Sequence, residues 1–308
     1  MSFNDNASLD TSRMGGGGGG GGRGPMVAGG GLLGLIVLIL SLFFGGGLPG
    51  GGEDPSGQQP GQGQQQGGND FAHCKTGADA NEHDDCRMVG GENSLNEYWK
   101  SQPDLKRDLE QAGAQFRGPK QTVIYTGATQ SQCGTATNQI GPFYCPLDES
   151  IFIDPDFFKV MEQQLGAENK PLAQLYVLAH EYGHHIQNLY GILEESQKDP
   201  KGADSGAVRV ELMADCMAGM WVRHASETKD KDGVALLKQP TEQEIRDALS
   251  AAKSVGDDTI QQRSGGGVNP DQWTHGSSRA RQAWFLKGYQ GQSLNQCDTF
   301  EVQNPENV

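Results

Sequence analysis

The chain of 308 residues is short of positive charge: 24 Lys and Arg stand against 39 Asp and Glu, for a formal net charge of -15. No Lys/Arg cluster interrupts that balance. A surface of this sign repels phosphate, so nucleic acid is excluded as a partner. The sequence also lacks any C-x-x-C pair, which argues against a zinc ribbon, and it shows no internal repeat. Two stretches are strongly biased in composition. One carries an unbroken glycine run from Gly15 to Gly22, and the other, residues 45–70, is rich in Gly, Gln and Pro. Neither can bury enough apolar surface to offset the entropy of ordering. The expected organisation is a disordered Gly-rich arm over 1–25, a linker over 45–70 and a globular region over 71–308. That region has room for one domain with a substantial core, or for two tightly packed lobes.

Charge is wholly absent from residues 26–44, MVAGGGLLGLIVLILSLFF. The run is long enough to cross a bilayer as a helix. A cleaved signal peptide is the rival reading, with Gly45–Gly47 as a small-residue cleavage site. The long segment before the run and the length of the run favour a retained anchor. Arg13 and Arg23 precede it, while Glu53 and Asp54 follow. The positive-inside rule then expects a cytoplasmic N-terminus and an extracytoplasmic globular domain. Six cysteines in an exported domain point to disulfides. Cys74/Cys86 and Cys133/Cys145 share a twelve-residue offset and are expected to pair, leaving Cys216–Cys297 by elimination.

Within the globular region, Ser94 to about Gln111 carries apolar residues at helical spacing, with Pro103 breaking the run in two. Gln121–Thr126 and Glu149–Asp154 are β-branched or aromatic and predict strands. Pro155 opens a helix that stops near Gly166, and Pro171 opens another that runs to about Tyr190. Further helices are predicted from about Ala207 to His224, from a Thr241/Glu244 capping box to about Gly256, and from near Ser277 onward. Few strands and many helices predict an α+β, mostly helical domain with a small β-sheet.

The helix opened by Pro171 contains His180-Glu181-Tyr182-Gly183-His184. Two histidines four apart lie on one helix face, close enough to share one metal ion, with a glutamate beside the first. This is the HExxH pattern of zinc peptidases, in which the glutamate is general base toward a zinc-bound water. A catalytic zinc usually takes three protein ligands. The third candidate is Glu211, in Val210-Glu211-Leu212-Met213-Ala214-Asp215. Glu211 and Asp215 share one face of an otherwise apolar helix and so need partners. Spacing favours Glu211 as metal ligand and Asp215 as the carboxylate orienting a ligating histidine; the reverse assignment and a solvated acidic face are the alternatives. His185 points off the motif face and reads as a non-ligand. His275 is a candidate for stabilising the developing oxyanion, or else a loop histidine near an N-cap. Glu149–Asp154 is the candidate edge strand for peptide binding.

These segments occur together in an order that resembles the bacterial neutral zinc metallopeptidase family. The similarity rests on Cys133-Gly134-Thr135-Ala136, Gly141-Pro142-Phe143-Tyr144-Cys145-Pro146, Phe152-Ile153-Asp154, Ala179 through Asn188, Arg209 through Cys216, Gly256-Asp257-Asp258, Thr274 through Ser278 and Cys297-Asp298-Thr299-Phe300. It extends over nearly the whole chain. It implies a single-pass, zinc-dependent peptidase of the gluzincin type with a zincin-like domain, acting on peptide or protein substrates. A zinc-stabilised binding or assembly factor of the envelope, without turnover, is the alternative.

Overall fold

The computed structural model describes residues 1–17, 71–137 and 140–308. The expected membrane segment 26–44 and the linker 45–70 lie outside these residues. Among the described residues no helix is long and apolar enough to cross a membrane.

The fold is α+β and mostly helical. In chain order the elements that position the site are β1 (Met14–Gly17), α1 (Gly77–Glu82), α2 (Asp84–Ser101), α3 (Pro103–Gln111), β2 (Gln121–Tyr125), β3 (Ala128–Ser131), β4 (Gly134–Thr137), β5 (Phe143–Cys145), β6 (Ser150–Ile153), α4 (Asp156–Val160), α5 (Pro171–Tyr190), α6 (Glu195–Lys198), α7 (Gly206–His224), α8 (Glu242–Ser254), α9 (Asp257–Arg263) and α10 (Ser278–Gln290). One sheet runs in the order β1-β2-β6-β5. Its first three strands are parallel, and β5 is antiparallel to β6. The β3–β4 hairpin stands apart.

The centre of the molecule is α5. Pro171 fits its first turn, where the missing N–H has no helical partner to lose, and Gly191 ends it at φ 71°. Between these ends the helix is buried on almost every face, including Leu172, Leu175, Leu178, Tyr182 and Ile186. It packs against α2, α7 and α8, and α7 packs in turn against α10. Apolar burial of this extent is what holds a helix carrying His180, Glu181 and His185 inside the core. Three disulfides, Cys74–Cys86, Cys133–Cys145 and Cys216–Cys297, match the expected pairing. The second joins the β3–β4 turn to β5; the third ties α7 to the C-terminal segment.

Three expectations need correction. Residues 1–17, assigned to a disordered cytoplasmic arm, are ordered and belong to the domain. Phe3 is fully buried, Met14–Gly17 forms β1, and Arg13 Nε donates to the buried Glu92 at 2.7 Å. Burying one Phe side chain contributes roughly 1.5–3 kcal/mol, and glycine in β1 pairs through its backbone alone. Composition therefore underestimated what this arm could bury. Second, β6 is not an edge: β2 flanks it on one side and β5 on the other. Third, the helix broken by Pro103 begins ten residues before Ser94, at Asp84, and buries polar Glu92, Asn93 and Asn96 that masked its periodicity.

Candidate active site

His180 and His184 project from α5 one turn apart, with ring centroids 4.7 Å apart. Glu211 reaches them from α7. Its Oε2 lies 3.1 Å from His180 Nε2, and its Oε1 lies 3.4 Å from His184 Nε2. One donor atom from each of the three falls within 4.8 Å of the others. The two helices come this close because Gly183, inside the motif, faces Ala214; a β-carbon there would lie 3.1 Å from the Ala214 Cα.

Each histidine turns Nε2 to the common centre because Nδ1 is engaged elsewhere. His180 Nδ1 meets Asp215 Oδ1 at 2.9 Å, and His184 Nδ1 meets Gln187 Oε1 at 2.8 Å. Gln187 is itself fixed by donating to the Val210 carbonyl at 2.6 Å. Asp215 is fully buried. Arg281 Nε donates to its Oδ2 at 2.7 Å, Arg281 Nη2 to its Oδ1 at 3.0 Å, and the Tyr176 hydroxyl donates to Oδ1 as well. A buried carboxylate held by a guanidinium and a phenol keeps its charge and its orientation.

The protonation pattern follows from these contacts. Burial pushes Asp215 up, but Arg281 and His180 outweigh it and hold the carboxyl below its usual range. Burial likewise opposes charge on Glu211, and His275, His184 and His180 together hold it well below the usual value. His180 is disfavoured as a cation by burial, yet Asp215 and Glu211 raise it to about 10. The centre is thus a place where positive charge is strongly favoured, which a metal ion satisfies as well as a proton does. Glu181 behaves differently. Burial raises its carboxyl, His184 and His180 only partly offset that, and its Oε2 is buried with no hydrogen-bond partner. An orphaned buried carboxylate oxygen is costly unless it serves a ligand or a reaction.

His275 lies on the loop between α9 and α10 and lines the same cavity as the triad. Asp257 Oδ2 accepts the N–H groups of Thr274, His275 and Gly276 at 2.7, 2.6 and 3.0 Å, which fixes the loop. The His275 Nδ1 lies 2.7 Å from the Thr274 hydroxyl. Burial works against charge on this imidazole, but Glu211 and Asp257 raise it above its ordinary value. His185 stays outside the centre, as expected. It contacts the Tyr144 hydroxyl and the Arg117 carbonyl, and burial lowers it to about 4.

The sequence residues singled out for chemistry, His180, Glu181, His184, Glu211, Asp215 and His275, therefore meet in one place. Tyr176, Gln187 and Arg281 join them without having been anticipated. Tyr176 sits one turn before His180 on the same face, and Gln187 sits three residues after His184. Arg281 is one of two arginines in Ser278–Phe285, with Arg279, and nothing in the sequence told the two apart.

Fold and site together define a helical α+β protein with a two-histidine, one-glutamate group suited to a metal ion and a buried carboxylate beside it. The chain belongs to the family described as "putative neutral zinc metallopeptidase", whose model matches residues 3–300. It is 43% identical over 242 residues to the uncharacterized protein Rv2575 of Mycobacterium tuberculosis, covering 76% of this chain and 77% of that one. It is 39% identical over 199 residues to the uncharacterized protein YpfJ of Escherichia coli, covering 63% of this chain and 66% of that one. No solved structure matches.

Proposed function

We propose that the protein is a zinc-dependent peptidase acting outside the cytoplasm, with His180, His184 and Glu211 as metal ligands and Glu181 as general base. The observation that carries this reading is the unpartnered, buried Glu181 Oε2 beside the three-ligand group. Zinc held there would polarise the scissile carbonyl and lower the pKa of water. Glu181, whose carboxyl is pushed up by burial, takes the proton of the attacking water and delivers it to the departing amine nitrogen. His275, across the cavity, donates from Nε2 toward the oxygen that gains charge. Asp215, with Arg281 and Tyr176 behind it, keeps His180 presenting Nε2. A zinc-stabilised scaffold has no use for an unpartnered carboxylate, so Glu181 disfavours the non-catalytic alternative.

The substrate strand is better assigned to β5 than to β6. Among the described residues β5 pairs on one side only, through Phe143, Tyr144 and Cys145, and Gly141 and Pro142 just before it line the cavity. A peptide added there would lie antiparallel or parallel along an open edge next to α5. The cavity, about 90 Å³, is also lined by Ile140, Phe157, Leu165, Val177 and Ile260, and suits an apolar side chain flanking the scissile bond. The three disulfides belong to an oxidising compartment.

The test is hydrolysis of an unstructured protein by the full chain carrying about one zinc. Cleavage should stop on chelation and return with zinc. Glu181→Gln should retain the metal and lose roughly 10²–10⁴-fold in kcat. Undiminished turnover in Glu181→Gln would remove the general-base assignment, and a zinc-loaded protein with no hydrolysis would favour the scaffold.

A further inference from the structure

The arm Met1–Gly17 is bracketed by specific contacts rather than lying loosely on the surface. Asn81 accepts from the Phe3 N–H at 2.8 Å and donates to the Phe3 carbonyl at 3.1 Å. Asn93 brackets Asp10 in the same way, at 2.7 and 2.8 Å. The Phe3 ring occupies the space left by the absent β-carbon of Gly90. Arg13 supplies the cation for Glu92, which is only 1% exposed, and β1 covers the edge of β2 from Met14 to Gly17. Undocked, the arm would leave a buried carboxylate uncompensated, and would bare Phe3 and a sheet edge.

Gly17 and Phe71, the described residues on either side of segment 18–70, are thus parts of one body. The apolar run 26–44 lies between them in sequence and holds enough apolar residues for one passage of a bilayer, not for a passage and a return. A single passage would place hydrogen-bonded partners such as Phe3 and Asn81 in different compartments. We infer that the arm and the domain occupy the same side of the membrane.

One sequence feature agrees. The orientation rule that placed the N-terminus in the cytoplasm relied on Arg13 and Arg23 as free cations, and Arg13 is paired with Glu92. The inference is independent of the catalytic reading.

All six native cysteines are in disulfides, so an introduced cysteine is the one free thiol. Ser12 and Ser264 are both exposed, the first on the arm and the second after α9. Full-length Ser12→Cys and Ser264→Cys are produced in bacterial cells, and intact spheroplasts are treated with a membrane-impermeant maleimide before and after lysis. Equal labelling of both before lysis is expected. Labelling of Ser264→Cys before lysis but of Ser12→Cys only after it would overturn the inference. Labelling of both only after lysis would keep the shared side and overturn the extracytoplasmic reading. In parallel, Arg13→Glu should lower the melting temperature by several degrees and the double change Arg13→Glu, Glu92→Arg should recover most of the loss. No loss in Arg13→Glu would show that the arm is not docked in solution, and the inference would fall with it.

Discussion

At the scale of single residues, the site works by leaving each group one free direction. His180 and His184 have their Nδ1 atoms taken by Asp215 and Gln187, so Nε2 is what remains for a metal. Asp215→Asn should keep the fold, yet weaken zinc binding roughly 10–100-fold, measured by competition with a chromogenic chelator. The loss arises because an amide cannot hold the imidazole as a charged acceptor can, and because Arg281 loses its counter-charge. His275 predicts a different signature. His275→Gln should lower kcat by about 10²–10³-fold while zinc content and KM stay near those of the parent, since its contact forms as charge develops. Equal losses in kcat/KM and in zinc affinity would instead make His275 a prop for the metal ligands. Most of this constellation was legible from spacing: His180/His184 and Glu211/Asp215 are both four-residue pairs on one face. Tyr176, Gln187 and Arg281 were not, because their roles depend on which helix packs where, and spacing along one helix does not carry that.

At the scale of elements, the site depends on how closely α7 lies between α5 and α10. Gly183 permits the first approach, and Gly219 and Gly288 permit the second: a β-carbon at Gly219 would overlap the Phe285 carbonyl, and one at Gly288 the Cys216 carbonyl. Gly219→Ala should therefore destabilise the protein by about 1–3 kcal/mol in urea unfolding, against the usual helix preference for Ala over Gly. Because α10 carries Arg281, the same substitution should also weaken zinc binding. A stability change without an effect on the metal would mean that the Arg281–Asp215 contact tolerates the shift. Helix limits set by Pro171, Gly191 and the Thr241/Glu244 capping box were readable in the sequence. The start of α2 was not, since its buried face is partly polar, with Glu92 and Asn93 serving the arm. Strand order was equally hidden: Glu149–Asp154 reads as a strand, but nothing in it tells an edge from an interior position.

At the scale of the whole molecule, distant segments are joined by carboxylates that need their charge. Asp104, at the start of α3, is held below the usual range by the Ser293 hydroxyl, the Leu294 N–H and Arg107, with burial opposing. Burial pushes Asp230 up, but the N–H groups of Ser8, Val234, Asp232 and Gly233 bring it below its ordinary value. A carboxyl with a folded pKa below its unfolded value stabilises the fold above about pH 4 and loses that contribution as pH falls through the depressed value. The melting temperature should thus decline from about pH 4 downward, and Asp104→Asn should flatten part of that decline; an unchanged acid profile would assign the loss to other groups. The arm held partly by Asp230 has a further consequence, for the order of synthesis. Phe3 bridges to Leu237, and Met14 pairs with Thr122. The arm leaves the ribosome well before the segments that form its seats. A polypeptide arrested short of Thr122 would display Phe3 and an unpaired glycine strand together, which is the kind of surface that chaperones and quality-control proteases recognise.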